Sequence, residues 1–146
     1  SLSYPEAVER AAGMAGLSMP TFSRAELERE QRAEGQQQVV EAVCSWFEAQ
    51  LEGMEGEIAR RYLAERGITR ETVERFRIGY APENRDALTQ AMQARGITPA
   101  QLIEAGVLIQ VEGRAPYARF RRRLMFAIRD RKSRVVAFGG RVLPGE

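Results

Sequence analysis

Apolar residues recur three and four apart between Val39 and Leu51. Val39, Val43, Trp46, Phe47 and Leu51 form one stripe, widened by Val40 and Ala42. That spacing predicts a helix with one buried face and makes Trp46 and Phe47 core residues rather than a ligand platform. Ahead of it, Val8, Ala11, Ala12 and Ala15 share one side of a short helix predicted over 4–15, with Pro5 in its first turn. Ser23-Arg24-Ala25-Glu26 has the form of a capping box, with Phe22 and Leu27 as its hydrophobic staple. It opens a charged helix predicted to stop at Gly35, where the polar "GQQQ" at 35–38 begins.

Shorter helices follow. One is predicted from Ile58 to Arg66 with Gly67 just past its end, one from a Thr69 cap to Phe76, and one from Asp86 to Ala94. Ile97-Thr98-Pro99-Ala100-Gln101 supplies a staple residue, an N-cap, a proline at the first helical position and a glutamine at the third, so a further helix runs from there to Gly106. "GMEGE" at 53–57 reads as a loop. "RIGYAP" at 77–82 reads as extended, Val107-Leu108-Ile109 as a strand and "VEGRAPY" as a loop. The period then changes. Leu124, Phe126 and Ile128 alternate with Met125, Ala127 and Arg129, and Val136 and Phe138 alternate with Val135 and Ala137. A polar link at 130–134 joins the two runs into a β-hairpin. Helices first and strands after predict an α+β fold: a helix-rich N-terminal part followed by a small mixed sheet with a basic β-hairpin.

Composition removes whole classes of chemistry. At 146 residues, 44% apolar and 29% charged, the chain has the makings of a folded core rather than of disorder. No apolar run is long enough to cross a membrane, and residues 1–20 have no signal-peptide pattern. There is no histidine and only one cysteine, Cys44. No standard zinc, copper or haem site can be assembled, and Ser-His-Asp, Cys-His and histidine general-base mechanisms are all excluded. Neither G-x-x-x-x-G-K-[ST] nor G-x-G-x-x-G occurs. The lone cysteine rules out an internal disulfide and points to a reducing compartment. With no base to activate it, it reads as a small structural residue.

Charge is segregated. "RFRRRLMFAIRDRKSRVVAFGGRV", from Arg119 to Val142, carries nine positive side chains against Asp130 alone, a net of +8 in a chain whose total is +2, which leaves −6 for the rest. Arginine outnumbers lysine 21 to 1, and arginine forks phosphates bidentately and stacks on bases. Part of the cluster is what a solvated hairpin turn and an edge strand carry anyway: Arg129 and Arg134 flank the turn, and Arg131 and Lys132 sit in it. Arg119-Phe120-Arg121-Arg122-Arg123 is not explained that way. In extended geometry Arg119, Arg121 and Arg123 share a face, with Phe120 and Arg122 on the other. Alternating arginines beside an aromatic ring suit single-stranded nucleic acid, though an acidic protein partner would recruit the same charges. Gly139-Gly140 before Arg141 reads either as a bulge or turn ending the strand, or as a place where the backbone approaches a phosphate closely. No carboxylate cluster with the form of a metal or acid–base site emerges.

Several blocks together carry a resemblance. "YLAERGITRETVERFRIGYAP" (62–82), "GVLI" (106–109) and "YARFRRRLMFAIRDRKSRVVAFGGRVL" (117–143) occur in the order found in bacterial DnaG-type DNA primases. The chain resembles the N-terminal subdomain of that family's RNA-synthesising core. The resemblance implies template-directed synthesis of short RNA primers on single-stranded DNA at the bacterial replication fork, in the cytoplasm. It implies that Arg66, Arg119, Arg121 and Arg141 contact the template. Arg123 and Arg129 join them as further hairpin arginines, and Gly139 and Gly140 as sites of backbone approach. It implies single-stranded DNA and an RNA–DNA hybrid as partners, and a replicative helicase reached through a C-terminal domain outside this chain. Zinc, and Mg²⁺ or Mn²⁺, would be held by a zinc-ribbon and an acidic module that are likewise outside it. This chain is thus expected to need no cofactor, to hold no metal and to be inactive alone. One departure is Ala127, where the family pattern has proline. The expected layout is Ser1-Leu2 as an expression remnant, N-terminal helices over 3–35 and the core subdomain over 36–146. A free-standing nucleic-acid-binding module and an arginine-rich protein-interaction domain stand as alternatives.

Overall fold

The computed structural model describes residues 23–144. The helix predicted over 4–15 and the proposed remnant lie outside the described residues. The chain divides into two compact units, Ser1–Gly35 and Gln36–Glu146. In the first, the Ser23 hydroxyl accepts the Glu26 N–H at 3.1 Å, as a helix N-cap does. The helix it opens, α1, spans Arg24–Glu52. The expected stop at Gly35 is therefore not made. A single glycine costs a helix about 1 kcal/mol relative to alanine, and the glutamines after it are good helix formers.

In the second unit the apolar stripe of α1 is buried as predicted, with Val39, Val43, Phe47 and Leu51 all inaccessible and Trp46 half-buried beside them. The "GMEGE" segment contains a turn of 3-10 helix, Met54–Gly56, and leads directly into α2, Glu57–Glu65. Helix α2 ends in a Schellman motif. The Ile68 N–H reaches the Leu63 carbonyl at 3.0 Å and Gly67, at φ +71°, reaches Ala64 at 3.0 Å. Helix α3, Arg70–Arg75, is capped by Thr69, and α4 spans Ala87–Gln93. Helix α5, Pro99–Glu104, carries the full Thr98–Gln101 capping box.

The α+β class holds; in place of the mixed sheet, the described strands pair antiparallel. The larger sheet has the order β1 (Gly79–Ala81), β4 (Arg123–Arg129), β5 (Val135–Val142). The smaller pairs β2 (Leu108–Ile109) with β3 (Tyr117–Ala118). The "VEGRAPY" loop therefore ends by starting a strand at Tyr117, and "RIGYAP" supplies a sheet strand rather than a free extended piece. Gly139 and Gly140 do not end β5. They lie within it, opposite Phe126 and Met125.

One face of the sheet packs on α1. Phe47 meets Phe138 edge-on at 5.3 Å, and Gly79 lies directly against Phe47. A bulge between Ile128 and Arg129 places one extra residue in β5. It resets the alternation so that Val135 and Phe138, three apart, both pack with Cys44 and Val40 of α1. The other face is covered near the start of β4, where Ala59 and Leu63 of α2 cluster with Tyr80, Leu124 and Leu143.

A salt-bridge knot ties α3 and β1 to α1. Arg77 follows α3 with φ +52°, an unusual conformation for a residue with a Cβ. Its guanidinium pairs with Glu48 at 2.9 Å and with Glu41, and donates to Ser45 Oγ at 3.3 Å. The hydrogen bond to Glu48 leads in pushing the Arg77 pKa further up, against the cost of burial. Cys44 lies beneath the same surface, and burial raises its thiol to a pKa of about 11. The cysteine is a protonated packing residue.

Candidate nucleic-acid interface

The predicted site residues fall into three places. The first is built on α2 and β5. Arg66 is the C-cap of α2, and its guanidinium lies 4.5 Å from the centre of the Tyr62 ring, one turn earlier. Arg141, 75 residues further along the chain, lies 5.9 Å from the centre of the same ring. Strand β5 brings it there because Arg141 pairs with Leu124, whose side chain packs under α2. Tyr62 therefore organises two cations that are remote in sequence by offering its π-face. Charge patterning alone does not reveal Tyr62. Its i,i+4 relation to Arg66 was the available signal.

The second place is a cleft of about 390 Å³ lined by Glu83, Arg85, Tyr117 and Ala118 together with Arg119, Arg121, Arg122 and Arg123. Three of the predicted arginines thus share one concavity, but not for the reason expected. The run from Arg119 to Arg123 is not a continuous extended strand. Arg122 takes φ +52°, and the strand begins only at Arg123. Arg119 continues the small sheet, its N–H bonded to the Val107 carbonyl at 3.0 Å, and its guanidinium stands 5.6 Å from the centre of the Phe120 ring. Phe120 in turn lies on Gly140, where a Cβ would come within 2.9 Å of the ring. Gly140 is therefore explained by packing. Gly139 is not: nothing lies within 4 Å of where its Cβ would be, and its φ is not positive.

The third place is the far end of the hairpin. Arg129 closes β4 beside the turn, six residues from Arg123, roughly 20 Å at strand rise. The structure does not bring it to the other arginines. In that turn Asp130 accepts backbone N–H groups from Lys132 and Arg134 and pairs with the Arg134 side chain at 2.9 Å. Those bonds, the Arg134 backbone N–H foremost, hold its carboxyl below the usual range.

Pairing alone does not single out the candidates, because Arg29, Arg32, Arg75, Arg85, Arg95, Arg114, Arg129 and Arg131 also have no carboxylate partner among the described residues. Arg24, Arg61, Arg70, Arg77, Arg122 and Arg134 each have a carboxylate partner. Among the described residues, Arg66, Arg119, Arg121, Arg123 and Arg141 have none, although Arg123 donates to the Arg121 carbonyl at 3.2 Å. Arg123 and Arg141 sit one register step apart at the same end of the β4–β5 ladder. Both groups of unneutralised arginines therefore lie at the end of the sheet remote from the hairpin turn. No group of three or more Cys, Asp or Glu side chains able to hold a metal occurs among the described residues, and no described helix is long and apolar enough to cross a membrane.

The family described as the DNA primase catalytic core, N-terminal domain, matches residues 46–146. The DNA primase of Salmonella typhimurium is 36% identical over 145 residues, covering 97% of this chain and 25% of the relative. That of Streptomyces coelicolor is 38% identical over 146 residues, covering 97% and 22%. The chain thus spans about a quarter of the length of these relatives. Among solved structures, a DnaG primase catalytic domain bound to ssDNA has a TM-score of 0.70 at 34% identity, over 80% of this chain and 38% of that one. The RNA polymerase domain of Mycobacterium tuberculosis DnaG also has a TM-score of 0.70, at 31% identity, over 77% and 37%. With the family model matched over 46–146 and the helix–sheet core shared with solved members, the chain belongs to the family of DnaG-type DNA primase catalytic cores, as that core's N-terminal domain.

Proposed function

We propose that this chain is the template-gripping part of a primer-synthesising enzyme and that it binds single-stranded DNA across the end of its hairpin. The observation that carries the reading is the convergence of arginines without carboxylate partners among the described residues, Arg66 and Arg141 about Tyr62, and Arg85, Arg119, Arg121 and Arg123 in one cleft. Guanidinium groups left unneutralised at neighbouring positions suit a chain of phosphates, and the Tyr62, Tyr117 and Phe120 rings beside them suit unstacked bases. A relative with this fold binds ssDNA, and the arginines proposed here would perform that task. Phosphate contacts of this kind position a strand and carry no sequence information.

Nucleotidyl transfer requires metal ions to align the attacking hydroxyl and to stabilise phosphate charge. We place that chemistry, with its Mg²⁺ or Mn²⁺, in residues beyond this chain, along with the zinc module and the helicase contact. The chain alone then binds template, and the RNA–DNA hybrid formed on it, without making primers.

The test is fluorescence anisotropy of a single-stranded oligonucleotide of about 20 nucleotides across a salt series. Wild type should bind weakly and without sequence preference, with affinity falling as salt rises. Arg119→Ala/Arg121→Ala and Arg66→Ala/Arg141→Ala should each flatten the log–log slope by about 0.7 for every phosphate contact removed. No binding at low salt would sink the reading and favour an acidic protein partner.

A further inference from the structure

One wall of the arginine cleft is supplied by a carboxylate. Glu83 follows β1 in a turn whose geometry is fixed: Asn84 Oδ1 accepts the Asp86 N–H at 2.9 Å, and the Asn84 carbonyl accepts the Ala87 N–H at 3.3 Å. From this platform Glu83 Oε1 pairs with Arg122 Nη2. Arg122 is one of three described non-glycine residues with positive φ, a conformation that places Cβ against the following carbonyl. The consequence for its neighbours is geometric. Three consecutive side chains cannot line one surface from an extended strand, because alternate residues point to opposite faces. With the turn at Arg122, all of Arg121, Arg122 and Arg123 line the same cleft. The ion pair also divides space. Glu83 and Arg122 are the two residues common to the cleft and to a neighbouring groove of about 560 Å³ lined by Glu55, Ile58, Tyr80 and Asn84.

We propose that Glu83 is a positioning residue for template binding: its carboxylate anchors Arg122, holds the turn, and so presents Arg121 and Arg123 to the strand. The proposal rests on the reading of the cleft as a nucleic-acid site. It makes a claim about sign that charge alone contradicts. A carboxylate at the edge of a phosphate-binding groove repels the ligand, so removing it should tighten binding if it acts only through its charge. If it acts through Arg122, removing it releases the turn, and the side chains must then be ordered at the moment of binding.

The experiment compares oligonucleotide affinity for wild type, Glu83→Gln, Glu83→Asp and Glu112→Gln at matched salt concentrations. Glu112 is exposed and lies outside the cleft, so its variant controls for loss of one negative charge. Glu83→Gln should weaken binding by about threefold to tenfold, the cost of re-ordering one or two arginine side chains. Glu83→Asp, which keeps a carboxylate, should recover most of the loss, and Glu112→Gln should bind as tightly as wild type or tighter. Because the Glu83–Arg122 pair is solvent-exposed, the thermal midpoint of Glu83→Gln should fall by no more than a few degrees, leaving the protein folded at the assay temperature. Unchanged or tighter binding by Glu83→Gln overturns the proposal while leaving the cleft a nucleic-acid site. Equal weakening by Glu112→Gln overturns it as well. Failure of the wild type to bind overturns the underlying reading instead.

Discussion

Replacing Gly79 with alanine tests how closely the sheet and α1 are fitted. A Cβ at Gly79 would lie 2.6 Å from the Phe47 carbonyl carbon, 2.7 Å from its oxygen and 2.7 Å from its Cβ. Ordinary carbon contacts need about 3.5 Å, so strand and helix would have to part by roughly 0.9 Å. Neither side yields cheaply. The opposing atoms belong to Phe47, two of them to its backbone, within α1, and Gly79 is held in register against Met125. Parting them loosens Phe47, Ala81 and Met125, all buried in one cluster. Overpacking of this kind costs about 1–3 kcal/mol or more. Restricting the unfolded chain returns about 0.4–1 kcal/mol, so net destabilisation should be about 1–2 kcal/mol. Urea unfolding followed by the fluorescence of the single tryptophan reads this directly, because Trp46 lies 5.6 Å, centre to centre, from the Phe47 ring. The midpoint should fall with the slope unchanged. Gly139→Ala is the internal control: its Cβ meets nothing within 4 Å, so stability should hold or rise slightly. A Gly79→Ala protein as stable as wild type, with unaltered emission, would refute the close fit.

Three further outcomes follow from the same structure. Arg77→Ala should cost about 1–3 kcal/mol in urea unfolding, through loss of the Glu48 and Glu41 pairs. Arg77→Gly should cost about 1 kcal/mol less, because glycine relieves the φ +52° conformation. The Cys44 thiol, raised from 9.0 to about 11, stays protonated in the folded protein after the unfolded chain has lost its proton. Its contribution is complete below about pH 9 and disappears as pH rises towards 11, so wild type should lose stability over that window relative to Cys44→Ala. Asp130 has the opposite sign. Its depressed pKa makes its contribution complete above the ordinary carboxylate range and lost as pH falls through the folded value. Asp130→Asn should therefore flatten the acid limb of a pH–stability profile.

The sequence made the helices legible wherever capping residues and glycines agreed with the apolar period. Thr98-Pro99 with Gln101, and Arg66-Gly67, marked ends that the structure reproduces almost to the residue. It misled at Gly35, where a turn former lies between two segments that both favour helix. It misled again at Gly139-Gly140, because a sheet tolerates glycine where a neighbouring ring needs the room, and Phe120 is a long-range neighbour by no local rule. Charge segregation located the arginine cluster but not its grouping. Which arginines converge depends on strand register, which carries Arg141 to Tyr62, and on one positive φ, which gathers Arg121 and Arg123 into a cleft. Neither is written in a local pattern.

Two cations held over one ring, neither paired to a carboxylate among the described residues, load the free protein with self-repulsion. Dissolved salt screens that repulsion in the free chain and competes with phosphates in the complex. The same sodium chloride titration should therefore raise the melting temperature of the isolated protein while lowering its affinity for DNA. If this surface binds DNA as proposed, a polyanion that relieves the repulsion becomes a folding ligand.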